Sequence, residues 1–229
     1  MKKLTVGFTR KELIFGWIYM LLQLFALPMG LSWGNGFLKD PLSEAELNFC
    51  YFALNFLFTT IIFRKYLLGN VKLFFRRFFR NIGITLLALV IYWVLFIAVG
   101  MLILYIYPEF NNVNDAAMDE LISENFTLMA IGAVILAPVT EEVLFRGLLF
   151  RGIYNKSRFL AYVVSAAAFS LPHVIGYLGQ YSPFHLLLCF VQYLPAGFCL
   201  GWAYAKSDSI CLPILMHMSI NLVGVWAMR

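Results

Sequence analysis

An all-helical bundle that crosses a membrane about seven times is the fold this sequence predicts, on three observations. The 229 residues are 62% hydrophobic and only 13% charged, with mean hydropathy +0.82, which excludes an ordinary soluble domain. Uncharged runs of ~20 residues, the length that spans a bilayer as a helix, recur along the whole chain. Basic residues gather in alternate connections, as they do on the cytoplasmic side of membrane proteins.

The first run, 12–31, follows Arg10 and Lys11 as the core of a signal peptide would. It is too long for one and no small-x-small site closes it, so it reads as a retained anchor. Residues 47–63 form the second run and 81–107 the third, and 126–154 holds the fourth. From 159 to 205 there is no Asp, Glu, Lys or Arg. That stretch is too long for one span and divides around Pro172, Gly176, Gly179 and Pro183 into a fifth and a sixth. Residues 209–228 are the seventh. An eighth arises if 71–80, or the residues around 111–126, dip into the membrane. A single integral-membrane domain fills 1–229, with 1–125 contributing spans and 126–225 carrying the chemistry.

Lys2, Lys3, Arg10 and Lys11 precede the first run, and Arg64, Lys65, Lys72, Arg76, Arg77 and Arg80 follow the second. Arg151, Lys156 and Arg158 follow the fourth, and Lys206 follows the sixth. The connection holding Glu109, Asp115, Asp119, Glu120 and Glu124 has no basic residue. The alternation predicts a multi-pass protein of the cell membrane with a cytoplasmic N-terminus. The net charge of +5 then faces anionic membrane lipids, and nucleic acid is excluded as a partner. The aromatic and basic run 72–80 reads as an interfacial helix. Cys50, Cys189, Cys199 and Cys211 form no CxxC pair and read as packing residues.

Against this apolar background Glu141, Glu142 and Arg146 stand out in the fourth run. A charge at mid-bilayer costs roughly 2.5–3.5 kcal/mol by insertion scales, so adjacent carboxylates need a reason beyond packing. Glu142 and Arg146 are spaced i, i+4 and pair on one face. Glu141 points about 100° away and has no local partner, which suits a general base. His173, four residues after Phe169, and His217, four before Asn221, bring imidazoles and an amide to similar depth. Glu141, His173 and His217 are a set that can hold Zn2+ and leave a position for water. The same groups also work without metal, with Glu141 activating water and His217 and Asn221 stabilising an oxyanion. The sequence leaves both routes open. His185 reads as interfacial, and Gly197 with Gly201 as a close helix contact.

The Glu-Glu-x-x-x-Arg, Phe-x-x-x-His and His-x-x-x-Asn strings at 141–146, 169–173 and 217–221 resemble, in order, the three motifs of the CAAX protease and bacteriocin-processing family. The resemblance covers roughly 126–225. It implies an all-helical intramembrane endopeptidase acting on a membrane-associated peptide or protein. The glutamate at Glu141 would activate water, and His173, His217 and Asn221 would complete the site. For prokaryotic members it implies bacteriocin maturation, self-immunity or peptide signalling. Two other readings compete: a non-catalytic immunity or scaffold protein, and a transporter. The transporter is disfavoured by the absence of an internal repeat. The site is expected to open toward the cytoplasm or the inner leaflet.

Overall fold

Thr9 and Ser43 open the first two long helices by the same device. Each hydroxyl accepts the backbone N–H three residues on, of Glu12 and of Glu46, and each glutamate takes the N–H of its cap residue in return. Glu12 also accepts the N–H of Tyr66 at 2.9 Å, so this buried acid is consumed by caps. The computed structural model describes residues 4–229, and Lys2 and Lys3 of the N-terminal basic cluster lie outside it.

Nine helices follow in order among those residues: α1 (Arg10–Asn35), α2 (Glu44–Ile62), α3 (Arg64–Arg76), α4 (Phe78–Ile106), α5 (Val113–Glu124), α6 (Phe126–Tyr154), α7 (Arg158–Ile175), α8 (Pro183–Ser207) and α9 (Cys211–Ala227). The protein is a polytopic helical bundle. Six helices (α1, α2, α4, α6, α7 and α8) are long and apolar enough to cross a membrane. The expected seventh span is α9, apolar but only 17 residues long, roughly 25 Å at 1.5 Å per residue. Neither stretch considered for an eighth span forms one. Residues 71–80 are split at Arg77 between α3 and α4, and 111–126 yields α5, whose Asp115, Asp119, Glu120 and Glu124 are too many charges for hydrocarbon.

In their most apolar windows α6 and α8 are each 56% buried, against 17% for α2 and α4. The first pair is therefore the centre, and α4 presents Leu86, Val94 and Met101 outward. At Gly197 of α8 an added Cβ would come within 2.7 Å of the Ala166 Cα of α7. Only glycine permits that approach, the close contact the sequence predicts.

Proline shapes α1 and α6. Leu22–Ala26, Ala130–Leu136 and Val143–Phe150 wind as π-helix, in which each N–H reaches the carbonyl five residues back. Pro28 and Pro138 have no N–H to give, which leaves the carbonyls of Gln23 and Ala133 without their partners. Neighbouring helices supply donors: the Tyr51 hydroxyl of α2 to Gln23 at 3.2 Å and the Asn221 amide of α9 to Ala133 at 2.8 Å. A bare carbonyl at this depth would cost several kcal/mol.

The basic connections meet at one end of the bundle. Thr5 gives its N–H to Asp208 Oδ1 at 2.7 Å and its hydroxyl to Oδ2. Arg151 donates to the Leu4 carbonyl at 3.1 Å, and Asn70 accepts the Ile210 N–H at 2.9 Å. Phe8 stacks on Tyr66 at 4.0 Å. These contacts lace the N-terminal segment, α3, the end of α6 and the connection after α8 to one another.

Candidate active site

The apolar centre of the bundle is interrupted by one charged cluster. Glu142 and Arg146, both on α6 and both without solvent exposure, pair at 3.0 Å. The π winding that starts at Val143 sets Arg146 against α7 and α8. Its Nη2 donates to the Gly197 carbonyl at 3.2 Å and its guanidinium lies 4.3 Å over the Phe169 ring. Gly197 therefore serves twice, as a close contact and as an acceptor for a buried charge.

His217 of α9 donates its Nδ1–H to Glu142 Oε1 at 2.9 Å. Glu142 thus holds two partners on one oxygen, and the bond fixes the imidazole so that Nε2 faces Glu141 Oε2 across 3.9 Å. That gap is too long for a direct hydrogen bond. Oε2 of Glu141 has no partner among the described residues, nor has Oε2 of Glu142. The Glu141 side chain keeps 28% exposure, against 0% for Glu142. The two adjacent acids are therefore unlike: Glu142 is bound on both sides, and Glu141 is free.

His173 lies past the break that Pro172 makes in α7. Its Nδ1–H donates to the Phe169 carbonyl at 3.0 Å, leaving Nε2 uncommitted. His173 and His217 both pack on the Phe169 ring, with centroids 5.2 and 5.4 Å away, so Phe169 is the hub on which Arg146 and the two imidazoles rest. On its other side His173 stacks against Tyr193 of α8 at 4.2 Å.

Asn221 also has a structural partner. The sequence places it beside His217 as an oxyanion donor, and one of its N–H groups is spent on the carbonyl that Pro138 leaves free. That bond pins α9 to the π turn of α6 just before the two acids. His185 is half-buried and bonds the Asn111 carbonyl at 2.9 Å, outside the cluster.

The donors suit zinc in kind: a free carboxylate and two imidazoles, each oriented by a bond at Nδ1. They do not suit it in spacing, since among the described residues no three His, Cys, Asp or Glu side chains gather closely enough to hold an ion.

Sequence reasoning missed Tyr193, Gln192, Asn112 and Asp115. Asn112 bonds Gln192 at 2.8 Å, and Tyr193 donates to Asp115 at 2.7 Å. The available signal was Tyr193 lying four residues before Gly197, on the same face of α8.

A polytopic membrane protein with an acid–imidazole centre contributed by three helices is the class this arrangement defines. Residues 123–223, which hold all six candidate side chains, match the family model described as Type II CAAX prenyl endopeptidase Rce1-like. A Bacillus subtilis (strain 168) protein with the provisional name membrane peptidase YdiL is 33% identical over 95 residues, 41% of this chain and 34% of its own length. The UPF0177 protein YxdF of Lactococcus lactis subsp. lactis (strain IL1403) is 32% identical over 95 residues, 42% of this chain and 47% of its own. The chain thus spans less than half the length of these two relatives. An uncharacterized 24.3 kDa protein of Escherichia coli is 26% identical over 227 residues, covering 90% of this chain and 94% of its own. No solved structure matches.

Proposed function

We propose that this chain is an intramembrane endopeptidase that hydrolyses a peptide bond in a membrane-associated peptide or protein. One observation carries the reading: Glu141 is unpartnered and faces His217 Nε2 at 3.9 Å, while Glu142 holds the opposite ring nitrogen at 2.9 Å. A water lying beside the gap reaches both atoms. Glu141 takes its proton as the oxygen attacks the scissile carbonyl, and returns that proton to the leaving amine. His217 Nε2, held at the gap by the Nδ1 bond to Glu142, is the donor to the oxyanion when it carries a proton. Glu142 acts as the orienter of His217, much as a buried carboxylate orients the base in other hydrolases.

Lipids of the cell membrane surround the chain, and the charge alternation supports a cytoplasmic N-terminus. Peptide maturation, self-immunity or signalling is the role that the resemblance favours.

The test is cleavage of a randomised pool of apolar peptides by the detergent-purified protein, with product sequencing and with or without a chelator. Chelator-resistant cleavage supports carboxylate-activated water, and chelator-sensitive cleavage restored by Zn2+ supports the metal route. Protection of cells by a Glu141→Gln variant that cleaves nothing would favour the non-catalytic immunity reading instead.

A further inference from the structure

The strongest structure outside the charged cluster is the clamp that joins α5 to α8. Asn112 caps α5 by accepting the N–H groups of Asn114 and Asp115 at 3.0 and 3.3 Å, and its amide donates to Gln192 Oε1 at 2.8 Å. The Tyr193 hydroxyl donates to Asp115 Oδ1 at 2.7 Å, with Asn112 Oδ1 a second acceptor at 3.3 Å, and it accepts from Asn114 Nδ2 at 3.1 Å. Burial pushes the Asp115 carboxyl above its ordinary range, and the Tyr193 hydrogen bond offsets part of that. A half-buried acid spent on one tyrosine is an expensive way to hold a loop.

The other side of Tyr193 gives the clamp its point. Its ring lies nearly parallel to the His173 imidazole, 28° between planes and 4.2 Å between centroids. His173 is thereby fixed three ways: by Nδ1 on the Phe169 carbonyl, by the Phe169 ring and by the Tyr193 ring. It follows the Pro172 break, in a one-turn helical piece of only four residues. This last turn of α7 lacks the backbone bond that Pro172 cannot make, so contacts from α8 add to what holds the imidazole.

We propose that Tyr193 is a positioning residue for His173 and that Asp115, with Asn112 and Asn114, fixes Tyr193, so that the acidic-end helix α5 sets the geometry of the site. The proposal rests on the proteolytic reading for its effect on rate and on the stack alone for its effect on the imidazole.

Three variants of the full chain test it. Tyr193→Phe keeps the stack and loses the tether, Asp115→Asn weakens the tether alone, and Tyr193→Leu removes both. The probe is the fluorescence-quenched peptide that the wild type turns over fastest from the randomised apolar pool. Tyr193→Leu should lower kcat ~10-fold to 100-fold, the scale of losing a partner that orients a site imidazole, with KM within about 2-fold. Tyr193→Phe should cause a smaller loss, and Asp115→Asn a loss no larger than that of Tyr193→Phe. Their double variant should be no worse than Tyr193→Phe alone, since both act on one tether.

The second readout is the 15N-labelled histidine spectrum, with the three rings assigned by His185→Gln and His217→Gln. Asp115→Asn and Tyr193→Phe should shift the His173 ring signals while leaving the His185 signals in place. Unchanged kcat in all three variants, a loss in KM alone, or Asp115→Asn and Tyr193→Phe losses that multiply would overturn the proposal. Should the wild type cleave nothing, the proteolytic reading fails by itself, and the ring signals decide the positioning claim: a His173 spectrum indifferent to Asp115→Asn and Tyr193→Phe ends it. Should Tyr193→Leu not fold, the two conservative variants carry the test.

Discussion

Replacing Arg146 by leucine removes the guanidinium from the buried cluster and exposes how that cluster is held. Glu142 keeps the His217 Nδ1–H at 2.9 Å but loses the guanidinium at 3.0 Å. Breaking a fully buried pair from one side costs roughly 3–5 kcal/mol, because a charge stays behind without compensation. The Gly197 carbonyl also loses its donor at 3.2 Å, roughly 1–1.5 kcal/mol more. For a chain of this size each kcal/mol moves the thermal midpoint by about 2–4 °C, so Arg146→Leu should fall by ~10–20 °C. Glu142→Leu should fall comparably, since Arg146 then retains only Gly197 and the Phe169 face. The double variant Glu142→Leu/Arg146→Leu removes both charges and should recover ~3 kcal/mol relative to the sum of the singles. The assay is the thermal midpoint in one detergent, read by loss of monodisperse protein. Midpoint shifts that simply add would refute the view that these residues act as a pair.

Asn221→Ala should cost ~1–3 kcal/mol by stripping the donor from the Ala133 carbonyl, and Pro138→Ala in the same chain should restore most of that stability by supplying an N–H; thermal midpoints of the two single variants and the double check it. Asp115, raised above its ordinary value of 3.8 by burial, binds its proton more readily folded than unfolded. Stability should therefore rise as pH falls through its folded value toward 3.8, and Asp115→Asn should flatten that slope in midpoints measured from neutrality downward. Loosening the laced basic end with Thr5→Val and Asp208→Ala should increase water-soluble thiol labelling of a cysteine at Thr140, beside Glu141, and an unchanged labelling rate would mean this end does not govern access.

Much of the fold was legible because hydrocarbon punishes charge: the charge-free runs mark the helices to within a few residues. The interruptions at Pro172 and Pro183 were legible because proline cannot continue a ladder. The π turns were not, since nothing in the string Pro-Val-Thr-Glu-Glu says whether Pro138 kinks α6 or widens it. What decides is a donor from α9, a contact that forms only in three dimensions. That is also why the bond from the Asn221 amide to the Ala133 carbonyl was out of sight in the sequence. The Glu142–Arg146 pair and the isolation of Glu141 followed from i, i+4 spacing alone and match the geometry. The His217–Glu142 bond was out of reach, because spacing within a helix says nothing about which acid a second helix meets. Tyr193 and Asp115 were hidden for the opposite reason: a tyrosine on an apolar face and an acid in a polar loop look ordinary until the two are brought together.

The central claim is that Glu141 is the base and Glu142 its structural neighbour. The measurement that tests it most directly is turnover of the selected fluorescence-quenched peptide by purified Glu141→Gln protein beside wild type, at matched folded concentration. The account predicts a normal thermal midpoint, because Glu141 Oε2 gives up no hydrogen bond, together with a loss of at least ~10²-fold in kcat. Near-normal turnover by Glu141→Gln would contradict it and move the base elsewhere in the cluster.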